Sequence, residues 1–329
     1  MIQTEILPQL TGRRRRLWQE LLACAGLATD EQLDTTVLIW QDDILVATGS
    51  RKDNILKCIA VSPDHQGEGL TATVLTQLRQ DAFSCGQRHL FLYTKPENRT
   101  QFLSLMFYPV AQTGTVLLME DRRRGIEAFL AALPAERVSG KIGAAVMNCN
   151  PFTLGHRYLV ETAARECDHL YLFILSEDKS HFSASDRMAM VQLGTAHIPN
   201  VTVLPTGPYL ISSATFPTYF LKEREKATEI QCLLDIEIFL KYFVPRFGIT
   251  HRYVGTEPLS PMTEMYNEAL KTYLPPRGIA LREIPRLSLS GVPISASALR
   301  EALASGDWEK AGALIPPSTL AYLTERHLQ

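Results

Sequence analysis

The chain has 329 residues, a formal net charge of −2 and 46% hydrophobic residues. That length suggests two domains, each with enough apolar residues for a core. Near-neutral charge argues against a nucleic-acid partner, no apolar run reaches membrane-spanning length and the start MIQTEILPQL lacks a signal-peptide core, so a cytoplasmic protein without a membrane partner is expected.

The six cysteines are scattered without a C-x-x-C pair, so neither a disulfide frame nor a structural zinc site is expected. The spacing predicts a helix over 14–27, then strands over 36–40 and 44–47 joined by Gln41-Asp42-Asp43 as a hairpin turn. The arginine runs at 13–16 and 122–124 are short and read as solvated faces. A third strand over 55–61 leads into Gln66-Gly67-Glu68-Gly69 and an amphipathic helix ending at about 82. A Gly-rich turn feeding a helix N-terminus suits a pyrophosphate, although a lone G-x-G is weak evidence. A strand over 89–94, a short helix over 102–107 and a strand over 115–119 complete this half.

Residues 133–140, LPAERVSG, mix Pro, charge and Gly and read as a linker, dividing the chain into domains 1–137 and 138–329. An apolar strand is expected over 142–147, broken by Asn148, Asn150 and Pro151, with a helix over 155–165 behind them. Strand, polar loop and helix aim unpaired backbone N–H groups and a positive helix end at one point, where an anion can sit. Gly155 lets the backbone come close to that anion, and His156 can hydrogen-bond to a phosphate oxygen or a developing negative charge. The shape alone is common in α/β proteins and identifies no activity.

The strand expected over 170–176 ends in the loop 177–183, ahead of a helix over 184–193. Arg187, on that helix's first turn, either reaches a phosphate or pairs with Asp186 or Glu177. After a strand over 201–205, the polar and aromatic stretch 207–220 reads as a lid or substrate loop, followed by a helix over 226–243. A strand over 251–255 ends at Gly255-Thr256-Glu257, the kind of strand end where an open parallel sheet presents ligand contacts. A helix over 262–273 and a fifth strand over 280–284 lead through Arg286 and Ser290 to Ile294-Ser295-Ala296-Ser297-Ala298-Leu299-Arg300. Ser295 or Ser297 can cap the helix starting there, so that its N–H groups and the Arg300 guanidinium face phosphate oxygens. Strands and helices alternate throughout this half, which predicts a doubly wound parallel sheet.

Residues 150–156, NPFTLGH, resemble the T/H-x-G-H signature of the nucleotidylyltransferase superfamily, with Thr153 in the first position. Residues 294–300 resemble its I-S-x-S/T-x-x-R signature, and Lys179 and Arg187 occupy the places of its basic loop residue and of the Arg after an F-S/T pair. In the first half, the Gln66–Gly69 turn resembles motif A of the GNAT acetyltransferase fold, which grips a coenzyme A pyrophosphate; Thr71 stands at its third small position. A GNAT-like α+β domain followed by a Rossmann-like nucleotidylyltransferase domain, together with the string VGTEP at 254–258, resembles the citrate lyase ligase family.

That resemblance implies an acid–thiol ligase. ATP and acetate would give acetyl adenylate and pyrophosphate. The acetyl group would then pass to the thiol of the phosphoribosyl-dephospho-CoA arm on the acyl-carrier subunit of citrate lyase, activating the lyase. Thr153, His156 and Arg300 would be catalytic. Asn148, Asn150, Pro151, Phe152, Gly155, Lys179, Arg187, Gly255, Glu257, Ile294, Ser295 and Ser297 would surround ATP, and Gln66, Gly67, Gly69 and Thr71 would dock the arm. No carboxylate cluster suggests a protein-caged metal, so Mg²⁺ would be held mainly by ATP. Two other readings stay open: an adenylyltransferase acting on a phosphorylated metabolite such as phosphopantetheine, and a GNAT-type acetyltransferase or acyl-CoA sensor.

Overall fold

A computed structural model of the chain describes residues 2–30, 32–136, 138–178, 180–212, 224–257 and 260–326. The chain forms two compact units, Met1–Ala128 with Ala214–Glu237 and Phe129–Ser213 with Ile238–Gln329.

The first unit carries β1 (Ile2–Leu7), α1 (Gly12–Cys24), β2 (Thr35–Gln41), β3 (Ile44–Lys52), β4 (Ile55–Val61), α2 (Leu70–Ser84), β5 (Phe91–Thr94), α3 (Arg99–Ser104), β6 (Tyr108–Gln112) and β7 (Leu117–Glu120). The seven strands form one sheet in the order β1-β2-β3-β4-β5-β7-β6. Sequence periodicity did not announce β1 or β6. Both are edge strands, and β1 is largely solvent-facing, so its apolar alternation carries little signal. Helix α2 packs on the sheet through Leu70, Val74, Leu75 and Leu78. The close approach needs Gly49 on β3, where an added Cβ would lie 2.4 Å from Val74 Cγ1. In β4, Cys58 at φ 53 forms a bulge that interrupts the register with β3. Beyond it β4 leaves its parallel partner β5: the two pair only through Ile55↔Phe91 and Leu56↔Leu92.

Helix α4 (Gly125–Ala132) follows in the chain. The second unit then carries β8 (Ile142–Met147), α5 (Leu154–Arg165), β9 (His169–Ile174), α6 (Ala184–Thr195) and β10 (Val201–Pro205). The helix expected over 226–243 is divided into α7 (Arg224–Ile238), a π-helical turn over Phe239–Phe243 and α8 (Val244–Phe247). Pro245 lacks the N–H that would continue the α-helical ladder back to Lys241, and the wider turn absorbs the defect. The remaining elements are β11 (His251–Gly255), α9 (Pro261–Tyr273), β12 (Ala280–Ile284), a small hairpin of β13 (Ser288–Leu289) and β14 (Val292–Pro293), α10 (Ala296–Ala304), α11 (Trp308–Leu314) and α12 (Pro317–Glu325). Of the expected lid over 207–220, the part from 213 onward lies outside the described residues.

Five strands form a parallel sheet in the order β10-β9-β8-β11-β12, so the chain winds outward from β8, returns and winds the other way from β11. This is the doubly wound arrangement expected from the alternation of elements. At the reversal, β8 and β11 pair only through Gly143↔His251 and Ala144↔Arg252 and separate toward their carboxyl ends. Val160, Ala163 and Ala164 of α5 pack with Leu170, Leu172 and Ile174 of β9 and with Leu299 and Leu303 of α10 in one buried cluster. The core thus fixes the two helices whose N-termini border the site.

Candidate active site

A cleft of about 430 Å³ opens where β8 and β11 part. Such a crevice, at the carboxyl ends of the strands beside a topological switch point, is where open α/β sheets bind ligands. Its rim includes Asn148, Thr153, Gly155, His156, Gly255, Glu257, Arg286, Ile294, Ser295 and Ser297.

The N-terminus of α5 is held by a reciprocal cap. Thr153 Oγ1 accepts the His156 backbone N–H at 3.3 Å, and the Thr153 backbone N–H donates to His156 Nδ1 at 3.0 Å. Thr153 Oγ1 also lies 2.9 Å from Nδ1. Because Nδ1 accepts, the neutral ring carries its proton on Nε2, the nitrogen away from the cap. Phe152, fully buried, lies nearly parallel to the imidazole with ring centroids 6.0 Å apart. It fills the notch left by Gly194, where a Cβ would sit 2.4 Å from the Phe152 ring. His156 retains some exposed surface toward the cleft, but protein crowds the rest of the ring, and this burial, followed by the charge of Arg286, pushes its pKa down to about 4. At neutral pH His156 therefore presents an uncharged Nε2–H donor.

A second helix N-terminus borders the cleft. Ser295 caps α10 by accepting the Ala298 N–H at 3.1 Å. In both helices the cap takes the third N–H, which leaves those of Leu154 and Gly155 in α5 and of Ala296 and Ser297 in α10 at the positive helix ends. A Cβ at Gly155 would meet Ile294 O at 3.4 Å, an ordinary contact, so packing alone does not demand glycine there. Arg300 ties the second signature to the first, donating from Nη1 to Asn150 O at 2.6 Å and from Nη2 to Ser297 Oγ at 3.0 Å.

Arg187 is fully buried and fastens the loop after β8. Its guanidinium donates to Asn148 O at 3.0 Å, Asn148 Oδ1 at 2.8 Å, Leu175 O at 2.8 Å, Glu177 O at 2.6 Å and Phe182 O at 3.1 Å. Every nitrogen of the guanidinium is thus engaged, and in this structure Arg187 shapes the loops after β8 and β9 and does not line the cleft. Of its two expected side-chain partners it bonds Glu177 only through the backbone carbonyl, whereas Asp186 accepts from Tyr322 Oη at 2.7 Å. Asn150 is likewise a strut, accepting the Phe182 N–H on Oδ1 at 3.0 Å. Pro151 and Phe152 are buried beneath the loop, and Lys179 lies outside the described residues.

Arg286 is a rim residue that the motifs did not single out. It follows the end of β12, and in a parallel sheet a cation just past a strand's carboxyl end is the signal that could have marked it. Its Nη2 donates to Glu257 Oε2 and its Nε to Thr256 O at 2.8 Å. Among the described residues, no three His, Cys, Asp or Glu side chains converge as a metal site.

The first unit has its own cleft of about 700 Å³, where β4 and β5 separate. Gln66, Gly67, Gly69 and Thr71 all line it. Gly67 and Gly69 stand at φ 86 and 77, conformations that favour glycine, and a Cβ at either would meet nothing within 4 Å. Thr71 is buried, and its Oγ1 accepts from Gln101 Nε2 at 3.2 Å across the floor.

Residues 142–323 match the citrate lyase ligase C-terminal domain, and residues 10–101 match the acetyltransferase (GNAT) family. The chain is 42% identical over 318 residues to the citrate (pro-3S)-lyase ligase of Klebsiella pneumoniae, an alignment covering 95% of this chain and 93% of that one. It is 40% identical over 306 residues to the same ligase of Escherichia coli K12, covering 90% and 86%. Among solved structures, Thermotoga maritima TmcAL bound with alpha-thio ATP aligns with a TM-score of 0.35 and 15% identity over 56% of each chain.

Proposed function

The chain belongs to the citrate lyase ligase family, and from that premise we propose that it activates acetate with ATP and acetylates the prosthetic thiol on the acyl-carrier subunit of citrate lyase. The observation that carries this reading is the near-complete coverage of the two ligases, so that both units of this chain have counterparts in each of them.

Acetate is ionised at neutral pH and needs no general base. Its carboxylate oxygen attacks the α-phosphorus of ATP, the bond to the bridging oxygen breaks, and pyrophosphate leaves with the electron pair. The site must align the two anions and stabilise charge on the α-phosphoryl oxygens. The Nε2–H of His156 and the N–H groups at the starts of α5 and α10 are donors of the required kind. Arg300 holds the two helix starts in register through Asn150 and Ser297. A neutral imidazole suits this work, because it donates without first giving up a proton. Glu257 is the only carboxylate on the described rim and is already paired with Arg286, so this rim does not fit a protein-held metal ion. Mg²⁺ would be held by ATP oxygens and water.

In the second step the arm's thiolate attacks the acyl carbon and AMP leaves. The 700 Å³ cleft would dock the arm, its pyrophosphate against the backbone of Gln66, Gly67 and Gly69. The first unit thus serves as the arm's dock and the second as the adenylating domain.

The test is exchange of labelled pyrophosphate into ATP. Exchange that requires acetate and is lost in His156→Ala is expected. Exchange that ignores acetate but requires a phosphorylated metabolite such as phosphopantetheine would replace this reading with an adenylyltransferase.

A further inference from the structure

We propose that Arg286 is a catalytic residue of the adenylation step, binding the same anionic phosphoryl oxygen as His156, and that Glu257 is the positioning residue that aims it. This inference rests on the acyl-adenylate reading of the cleft.

Arg286 is tied down on one side only. Its backbone N–H donates to Thr256 Oγ1 at 3.1 Å, its Nε to Thr256 O at 2.8 Å and its Nη2 to Glu257 Oε2. Nε and Nη2 lie along one edge of the planar guanidinium, so both anchors take that edge. The Nη1 end, with two N–H groups, is left for a ligand among the described residues. A fork held along one edge and open at the other is suited to a phosphoryl oxygen in a fixed orientation. Glu257 cannot follow a moving substrate. Its side chain is 6% exposed, and its second oxygen accepts the Ser260 N–H at 3.1 Å.

Arg286 and His156 line the same cleft. The guanidinium charge also lowers the basicity of the imidazole, so the two groups share one electrostatic neighbourhood. An anion accepting the imidazole Nε2–H therefore lies within the field of Arg286 as well. Of the other arginines, Arg187 is bound to buried carbonyls, Arg300 bridges Asn150 and Ser297, and Arg252, which also lines the cleft, is buried with its guanidinium 4.9 Å from the centroid of the Phe239 ring. Arg286 is thus a rim guanidinium whose side-chain anchors take one edge and leave its Nη1 end turned away from them. A donor that engages charge developing in the transition state changes kcat more than KM.

The experiment is acetate-dependent pyrophosphate exchange in wild type, Arg286→Gln, Arg286→Lys and Glu257→Gln, with the His156 imidazole followed by NMR titration in each. Arg286→Gln should lower kcat by about 100-fold while KM for ATP and acetate moves less than about threefold. Arg286→Lys should recover part of the loss, because it restores charge without the fork. Glu257→Gln should lower kcat less than Arg286→Gln, and Arg286→Gln added to it should cost less than it does alone. The His156 pKa should rise in Arg286→Gln. The double variant Glu257→Gln/Arg286→Gln removes the buried unpaired carboxylate should the single variant fail to fold. A raised KM for ATP with unchanged kcat would overturn the proposal, as would an unmoved His156 titration. If the wild type shows no acetate-dependent exchange, the acyl-adenylate reading fails instead. The titration then still decides whether Arg286 faces the imidazole.

Discussion

Each unit opens its cleft by the same device and furnishes it differently. In each, a parallel strand pair keeps register for two residue pairs and then separates, β4 from β5 and β8 from β11. The β4–β5 cleft is bordered by two glycines at positive φ, with open space above them, beside the start of α2. The β8–β11 cleft sets side chains held by protein partners beside the N–H groups at the starts of α5 and α10. His156 is pinned by the Thr153 cap, Arg286 by Thr256 and Glu257, and Arg300 by Asn150 and Ser297. On the proposed function, the contrast separates two tasks. Gripping a flexible phosphorylated arm needs amide donors and room, and tolerates slack. Stabilising a transition state needs donors that do not reorganise as charge develops.

The contrast can be broken by substitutions that exchange the two behaviours. The largest effect is expected at His156. His156→Ala removes the Nε2–H donor and half of the cap, and should lower pyrophosphate exchange by about 10²–10³-fold, read by initial rates with saturating ATP. Next comes Arg187→Met, which strands the carbonyls that this buried guanidinium satisfies. It should destabilise the fold by about 3 kcal/mol in denaturant unfolding, with activity at low temperature falling less than in His156→Ala. An equally severe loss of exchange in a fully folded Arg187→Met would show that it touches substrate after all.

Gly69→Val acts on the other cleft. A β-branched residue at φ 77 carries strain of about 1–2 kcal/mol and should impair thiol acetylation while leaving pyrophosphate exchange within about twofold of wild type. Loss of exchange in this variant would mean that the two clefts are not functionally separable.

The smallest effect is on pH dependence. The folded pKa of His156, about 4, lies below the ordinary value of about 6.5. Between these values the unfolded chain binds the proton and the folded chain does not. The stabilisation from burying a neutral imidazole is therefore full above about pH 6.5 and is lost as pH falls toward 4. The stability of wild type relative to His156→Gln should decline over that window in urea titrations. A difference that stays constant with pH would contradict the neutral, crowded imidazole.

What the sequence disclosed follows the same division. The five parallel strands of the second unit and its helices α5, α6, α9 and α10 were legible because buried parallel strands read as apolar runs and because Thr153 and Ser295 are strong N-caps at motif positions, whereas the β13–β14 hairpin, α11 and α12 were not expected. The partners of the arginines were not legible. Arg187 lies in the first turn of a helix and Arg286 follows a strand, and only the fold shows that the first is sunk among carbonyls and the second is on the rim. Edge strands β1 and β6, and the π-helical turn before Pro245, were missed because local patterns do not record where an element sits in a sheet or how a helix absorbs a proline. Gly67 and Gly69 lie at positive φ, a backbone conformation that favours glycine.

The central claim is that acetyl activation and arm docking are separate tasks of one chain. The most direct measurement is mass-spectrometric detection of acetylated acyl-carrier subunit, with the acetyl group supplied either as ATP plus acetate or as preformed acetyl adenylate. His156→Ala should fail with ATP plus acetate and recover with acetyl adenylate, whereas Gly69→Val should be impaired with both. Recovery of Gly69→Val by acetyl adenylate, or failure of His156→Ala with both supplies, would contradict the account.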